Sequence, residues 1–213
     1  MHAGVVLDVS ASMEPSMEQA KQAALHFFES AITPKDRAAL ITFNDHPQLA
    51  AKFTNDVTEL AAGLAGIKAE RGTALYDSVV FALYYFNGLK GQRALIVLSD
   101  GKDESSKFKW EETLEFARRA GVTIYTIGLG KELEHDSRKQ LDKLAEQTGG
   151  RSFFVDTAAE LGPAYQSIQE ELRSQYLLVY QSTNAKPDKK FRSVDVKVKE
   201  PGLEAHTIRG YYP

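Results

Sequence analysis

Apolar strand patterns and amphipathic helical patterns alternate along most of this chain. In its second half, strands are predicted at 94–98, 122–127 and 151–155, and helices at 110–120, 137–147 and 158–173. Regular alternation of this kind is typical of a mostly parallel sheet covered by helices on both faces. The pattern therefore predicts a doubly wound α/β fold.

The first half of the chain also contains predicted strands and helices, and it contains one predicted hairpin. Strands are predicted at 4–7, 37–43 and 48–53, and helices from just beyond Pro15 to Ala31, at 57–67 and at 75–86. The strands at 37–43 and 48–53 flank a short turn rich in turn-forming residues. We therefore expect these two strands to be antiparallel neighbours.

The pattern changes after Ser174. A continuous apolar run at 176–180 predicts a strand, and strict alternation at 193–199 predicts a half-exposed strand. A last segment at 206–212 follows a Pro-Gly turn. We expect residues 1–184 to form the main domain and residues 185–213 to form a β-extension that packs on the same domain.

Composition narrows the class of protein. A chain of 213 residues with 43% hydrophobic content can bury a full core as one domain. A net charge of −3 gives no electrostatic reason to expect nucleic acid as a partner, and the basic run at 186–190 is predicted as a solvated turn.

No apolar segment is long enough for direct membrane insertion, and no signal-peptide pattern begins the chain. Because the chain starts almost directly on a predicted core strand, we expect an excised domain of a longer protein.

Oxygen-bearing side chains follow two predicted strands and precede one predicted helix. They belong to Asp8, Ser10, Ser12, Thr73 and Asp100. In an open parallel sheet, ligands bind beyond the carboxyl ends of the strands, where the winding direction reverses. Mg²⁺ prefers oxygen ligands in near-octahedral array, so a few carboxylates with hydroxyls suit it. The sequence therefore predicts a hard-cation site.

The order of these residues resembles a known motif. The spacing D-x-S-x-S from Asp8 to Ser12, the distant Thr73 and the strand-closing Asp100 are similar to the metal-ion-dependent adhesion site of von Willebrand factor type A domains. The resemblance runs from about residue 3 to residue 184. It implies that Asp8, Ser10, Ser12, Thr73 and Asp100 hold Mg²⁺, with Mn²⁺ or Ca²⁺ as alternatives. One departure is Ala11, where the family frequently has Gly.

The resemblance also implies a function. In this family a Glu or Asp carboxylate of a partner protein completes the coordination, and the two aspartates often act through water. The chain would then be a protein-binding module with no catalytic residues, located in the cell envelope or secreted. Its tail resembles that of a bacterial subgroup of these proteins.

Two other interpretations fit parts of the pattern. Ser12 and Thr73 could simply cap the helices that follow them, since Ser and Thr are favoured at helix N-termini. Asp8 after an apolar strand also fits a Mg²⁺-dependent phosphatase that uses this aspartate as its nucleophile. Such an enzyme needs a second acid two residues later, and position 10 is Ser, which cannot protonate a leaving group at neutral pH.

Overall fold

A computed structural model describes residues 1–70, 72–131, 133–176, 178–184, 190–203 and 205–212. Six strands form the central sheet: β1 (His2–Asp8), β2 (Arg37–Phe43), β3 (Pro47–Thr54), β4 (Arg93–Ser99), β5 (Thr123–Leu129) and β6 (Ser152–Val155). Their order across the sheet is β3-β2-β1-β4-β5-β6. All neighbours are parallel except β2 and β3, which are antiparallel as predicted.

Helices cover both faces of this sheet. They are α1 (Met17–Ala31), α2 (Val57–Ala65), α3 (Leu75–Tyr85), α4 (Trp110–Ala120), α5 (His135–Thr148) and α6 (Leu161–Arg173). Side chains of α1, α2 and α6 share one apolar core with the sheet, and those of α3, α4 and α5 share the other. This two-faced burial explains why β1 and β4 are almost continuously apolar. The predicted doubly wound α/β fold is confirmed.

The winding direction reverses between β1 and β4. From β1 the chain adds β2 and β3 on one side, and it then returns to place β4, β5 and β6 on the other. The loops after β1 and β4 therefore leave neighbouring strands in different directions and open a crevice at their carboxyl ends. Asp8 ends β1 and Asp100 directly follows β4, so both predicted acidic ligands lie at this crevice.

Two of the predicted helices are preceded by, or begin with, a 3-10 helix. A 3-10 helix at Ala11–Ser16 precedes α1, which therefore begins at Met17 and not near Pro15. A second 3-10 helix at Ala158–Glu160 takes the first turn of the helix predicted at 158–173. Such short tight turns are common at helix N-termini, and apolar spacing alone does not distinguish them from α-helix.

The tail is less regular than predicted. The described residues of the 176–180 run form no strand, and Tyr176 and Val179 are 91% and 86% exposed. The strand predicted at 193–199 is wrong beyond its first residue. Among the described residues of the tail, pairing is limited to the two-residue strands β7 (Arg192–Ser193) and β8 (Gly210–Tyr211). The predicted turn at 186–190 lies outside the described residues except for Lys190. None of the helices within the described ranges is long and apolar enough to cross a membrane.

Candidate metal centre

Asp8 is the most deeply buried of the predicted site residues. Its side chain is inaccessible to solvent, and both carboxylate oxygens already accept hydrogen bonds. The Ser10 amide donates to Oδ1 at 2.9 Å, and the Ser99 hydroxyl donates to Oδ2 at 2.6 Å. Ser99 ends β4 beside Asp8 because β1 and β4 are parallel and in register up to Leu7 and Leu98. Asp8 is therefore held at the floor of the crevice by the neighbouring strand.

A chain of hydroxyls connects the loop after β1 to the loop after β4. The Ser10 and Ser12 hydroxyl oxygens are 3.0 Å apart. The Ser12 hydroxyl donates to Oδ1 of Asp100 at 3.0 Å. Ser12 thus reaches the second predicted carboxylate directly, across 88 residues of sequence, and Ser10 is connected to it through Ser12.

Thr73 lies beside α3, on a third loop. The residue is 6% exposed, and its carbonyl accepts amide protons from Glu104 at 2.8 Å and Ser105 at 3.3 Å. The next amide along, that of Ala74, donates to the Asn44 carbonyl at 2.6 Å. The Thr73 backbone is therefore fixed from two sides, by the β2–β3 turn and by the loop that follows β4.

The structure does not support the interpretation that Ser12 and Thr73 cap the helices that follow them. The N-cap residues of α1 and α3 are Ser16 and Ala74, and neither helix has a side-chain cap hydrogen bond. Ser10 precedes the 3-10 helix, which also has no side-chain cap. Within the described residues, no hydrogen bond occupies the Thr73 hydroxyl. The hydroxyls of Ser12 and Thr73 thus do not cap the helices that follow them.

Four of the five predicted residues line one cleft of about 520 Å³. The lining residues are Ser10, Ala11, Ser12, Gly72, Thr73, Asp100, Gly101, Lys102, Glu104, Leu133 and Glu134. Asp8, which is completely buried, is not among the lining residues. The Lys102 ammonium lies 3.6 Å from a Glu134 carboxylate oxygen, so this lysine of the lining has an acidic neighbour.

Burial raises the pKa of both carboxyls. The pKa of Asp8 rises from 3.8 to about 6 because burial disfavours its charged form, although the hydrogen bonds from Ser99 and Ser10 oppose the shift. The pKa of Asp100 is also raised by burial. Asp8 and Asp100 accept no hydrogen bond from a lysine or arginine among the described residues, and a bound cation would stabilise their charged forms.

The donor set also restricts which cation would fit. Among the described residues, no three His, Cys, Asp or Glu side chains cluster closely enough to hold a metal ion. A site here must therefore use hydroxyls beside Asp8 and Asp100. Hydroxyl and carboxylate oxygens suit Mg²⁺ and Mn²⁺, and the absence of cysteine from the chain removes any thiolate ligand.

Sequence reasoning missed two residues that support this centre. Ser99 was not singled out because its contact with Asp8 depends on which strands are neighbours. The second is Asp103, whose carboxylate accepts the Tyr76 amide proton at 3.1 Å. An apolar pattern predicts strands and helices but not their order in the sheet, so neither contact could be deduced from it.

Comparison with known proteins agrees with the fold. The family model of the von Willebrand factor type A domain matches residues 4–171. The chain belongs to this family. A curated relative of this type A domain is the bovine (Bos taurus) inter-alpha-trypsin inhibitor heavy chain H4, which is 23% identical over 198 residues, covering 83% of this chain and 21% of the relative.

Solved structures share the fold of this type A domain. A von Willebrand factor type A structure from Catenulispora acidiphila superposes with a TM-score of 0.71 at 19% identity, covering 80% of this chain and 42% of that one. Proximal thread matrix protein 1 from the mussel byssus, with a zinc-occupied MIDAS motif, has a TM-score of 0.68 at 19% identity, covering 79% and 44%. This chain spans less than half of each of these three relatives.

Proposed function

We propose that this domain binds a divalent cation, Mg²⁺ in the first place and Mn²⁺ or Ca²⁺ as alternatives, and through it a carboxylate of a partner protein. The observation that carries the proposal is the convergence of Ser10, Ser12, Thr73 and Asp100 on one cleft above Asp8. Helix capping does not account for the three hydroxyls, and no lysine or arginine hydrogen-bonds to either carboxylate within the described residues. A bound cation would balance the negative charge of the two carboxylates.

Each residue has a distinct part in this proposal. Ser10, Ser12 and Thr73 would supply neutral oxygens, whereas Asp8 and Asp100 would balance the two charges of the ion. Because Asp8 is inaccessible and both of its oxygens accept hydrogen bonds, it would act through water or after rearrangement of these bonds. Bound there, Mg²⁺ would supply an electrophilic position open to a further oxygen ligand.

The partner is inferred to present a Glu or Asp side chain. Mg²⁺ prefers oxygen ligands and takes six of them, and the chain offers five candidate residues. A carboxylate from a protein partner would complete the set and add a negative charge to a centre that is only just neutral. The mussel protein whose MIDAS motif holds zinc supports the metal part of this proposal.

We also propose that the domain is a recognition module and not a hydrolase. A nucleophilic aspartate must reach its substrate, but Asp8 is inaccessible to solvent and both of its oxygens are engaged. The residue two positions later is Ser10, which is not an acid. No histidine lines the cleft among the described residues. The family resemblance favours a location in the cell envelope or outside the cell.

Calorimetric titration with Mg²⁺ tests the proposal. The wild type should bind one ion per chain, and Asp8→Ala should bind none at the same concentrations. Asp156→Ala is the matched control, because Asp156 is an exposed aspartate directly after β6 and lies outside the cleft. Equal binding by the wild type and Asp8→Ala would contradict the assignment of the site.

A further inference from the structure

The N-terminus of α3 is capped by a loop that is distant in sequence. The first amides of a helix have no partner within the helix. In α3 the Tyr76 amide donates to Oδ1 of Asp103 at 3.1 Å, and the Asp77 amide donates to the Ser106 hydroxyl at 3.0 Å. Both acceptors belong to the β4–α4 loop, residues 100–109, which begins with Asp100.

The contact is reciprocal. Asp77, in the first turn of α3, accepts through Oδ1 the amide protons of Lys107 and Phe108, each at 2.9 Å. The Ser106 hydroxyl donates in turn to Oδ1 of Asp103, which joins the two halves of the contact. We call this set of hydrogen bonds through Asp77, Asp103 and Ser106 the loop clamp.

The clamp connects the two loops that carry Thr73 and Asp100. Thr73 lies four residues before Asp77, and its carbonyl accepts the amide protons of Glu104 and Ser105. Asp100 lies three residues before Asp103 in the loop itself. Neither Asp77 nor Asp103 lines the cleft. The clamp therefore links the segments that carry two cleft residues, and it does so from outside the cleft.

We propose that Asp77 and Asp103 are positioning residues of the metal centre, an inference that rests on the function proposed above. They hold Thr73 and Asp100 as one rigid unit, so that both oxygens are in place before the ion arrives. Without the clamp, each ion that binds must order two independent loops, and its affinity falls by the cost of that ordering. Residues that orient metal ligands from outside the coordination sphere typically contribute about 10- to 100-fold in metal affinity.

Two variants at Asp77 distinguish the loss of the clamp's hydrogen bonds from the loss of the Asp77 charge. Asp77→Ala removes the acceptor of the Lys107 and Phe108 amides, whereas Asp77→Asn keeps an acceptor oxygen and loses only the charge. By calorimetry, Asp77→Ala should bind Mg²⁺ about 10- to 100-fold more weakly than the wild type, and Asp77→Asn should stay close to the wild type. Glu59→Ala is the control, because Glu59 is an exposed acid in the first turn of α2.

Hydrogen exchange of the metal-free protein verifies that the clamp has opened. The Lys107 and Phe108 amides should exchange faster in Asp77→Ala than in the wild type or Asp77→Asn. Wild-type affinity in an opened Asp77→Ala variant would overturn the proposal, and so would an equal loss in Asp77→Asn. If Asp77→Ala does not fold, Ser106→Ala opens the clamp from the other loop and must show the same loss. A wild type that binds no Mg²⁺ would instead contradict the proposed function itself.

Discussion

At the scale of single residues, Asp8 shows how the fold prepares a carboxylate for a cation. Its position after an apolar strand could be predicted from the sequence, as could the D-x-S-x-S spacing that follows. Its complete burial and its bond to Ser99 could not, because both depend on β4 lying next to β1. No lysine or arginine hydrogen-bonds to Asp8 in the part of the chain that the structure describes, so burial is costly for its ionised form, and this cost can be measured.

The first prediction concerns Asp8→Asn in metal-free protein. The folded pKa of about 6 exceeds the reference value of 3.8, so the folded state holds the proton more tightly. The contribution of Asp8 to stability is therefore fully present below pH 3.8 and is lost as the pH rises through 6. Because a shift of one pKa unit corresponds to about 1.36 kcal/mol, the loss of unfolding free energy is about 3 kcal/mol. Asn cannot ionise and keeps one oxygen for the Ser10 amide.

Urea unfolding with chelator at pH 4 and pH 7.5 measures this effect. Relative to the wild type, Asp8→Asn should gain unfolding free energy as the pH rises, by up to about 3 kcal/mol. Asp156→Asn, at an exposed site, should follow the wild type at both pH values. Saturating Mg²⁺ should stabilise the wild type at pH 7.5 and leave Asp8→Asn unchanged. Parallel pH profiles for Asp8→Asn and the wild type would contradict the burial argument.

At the scale of elements, the regular core and the tail behave differently. The main strands and helices could be predicted because each apolar pattern reports a face that must be buried. The run at 176–180 has the same apolar character, but its described residues pair with no sheet. Hydrophobicity along a segment does not specify a partner strand. Of the apolar and polar alternation at 193–199, the structure retains only the partial burial of Val194 and Val196, whose neighbours are exposed.

The tail instead docks on the ends of α4 and α5 through aromatic and charged groups. The Arg119 guanidinium lies 4.4 Å from the centre of the Tyr212 ring, and the Tyr212 hydroxyl donates to Glu115 at 2.8 Å. The backbone near Thr207 also passes closely over Gly149, at the C-cap of α5. A Cβ atom at Gly149 would lie 2.7 Å from the Thr207 carbonyl carbon.

Two glycine substitutions can isolate the contribution of this docking. Gly149 and Gly88 have nearly the same positive φ, 81° and 79°, but a Cβ at Gly88 would meet no atom within 4 Å. Both alanine variants should lose about 1–2 kcal/mol from the left-handed backbone. Gly149→Ala should lose more, because the tail backbone must also move. Chemical unfolding measures the difference, and limited proteolysis should cut the tail faster in Gly149→Ala. Equal losses would mean that the tail contributes no stability at this contact.

At the scale of the whole molecule, the cleft and the docked tail lie at opposite ends of the sheet. The cleft is at the carboxyl ends of β1 and β4, whereas the C-terminal end of α5 lies beside the start of β5. There the Thr148 hydroxyl accepts the Ile124 amide proton at 3.0 Å. Fold and site agree because parallel strands bring loops that are distant in sequence to one edge. The contacts of the tail at Gly149 and Tyr212 therefore lie far from the proposed metal centre.

This separation leads to the last prediction, which concerns partner binding. An immobilised domain should capture its partner from an extract of the source organism with Mg²⁺ and release it with chelator, at fixed salt. Thr73→Ala should weaken capture, because Thr73 lines the cleft. Gly149→Ala disturbs only the opposite end and should capture normally. Acetate at high concentration should compete, since it carries the carboxylate that the proposal assigns to the partner. Capture that resists both chelator and acetate would place the interface away from the cleft, at the exposed apolar residues of 176–180.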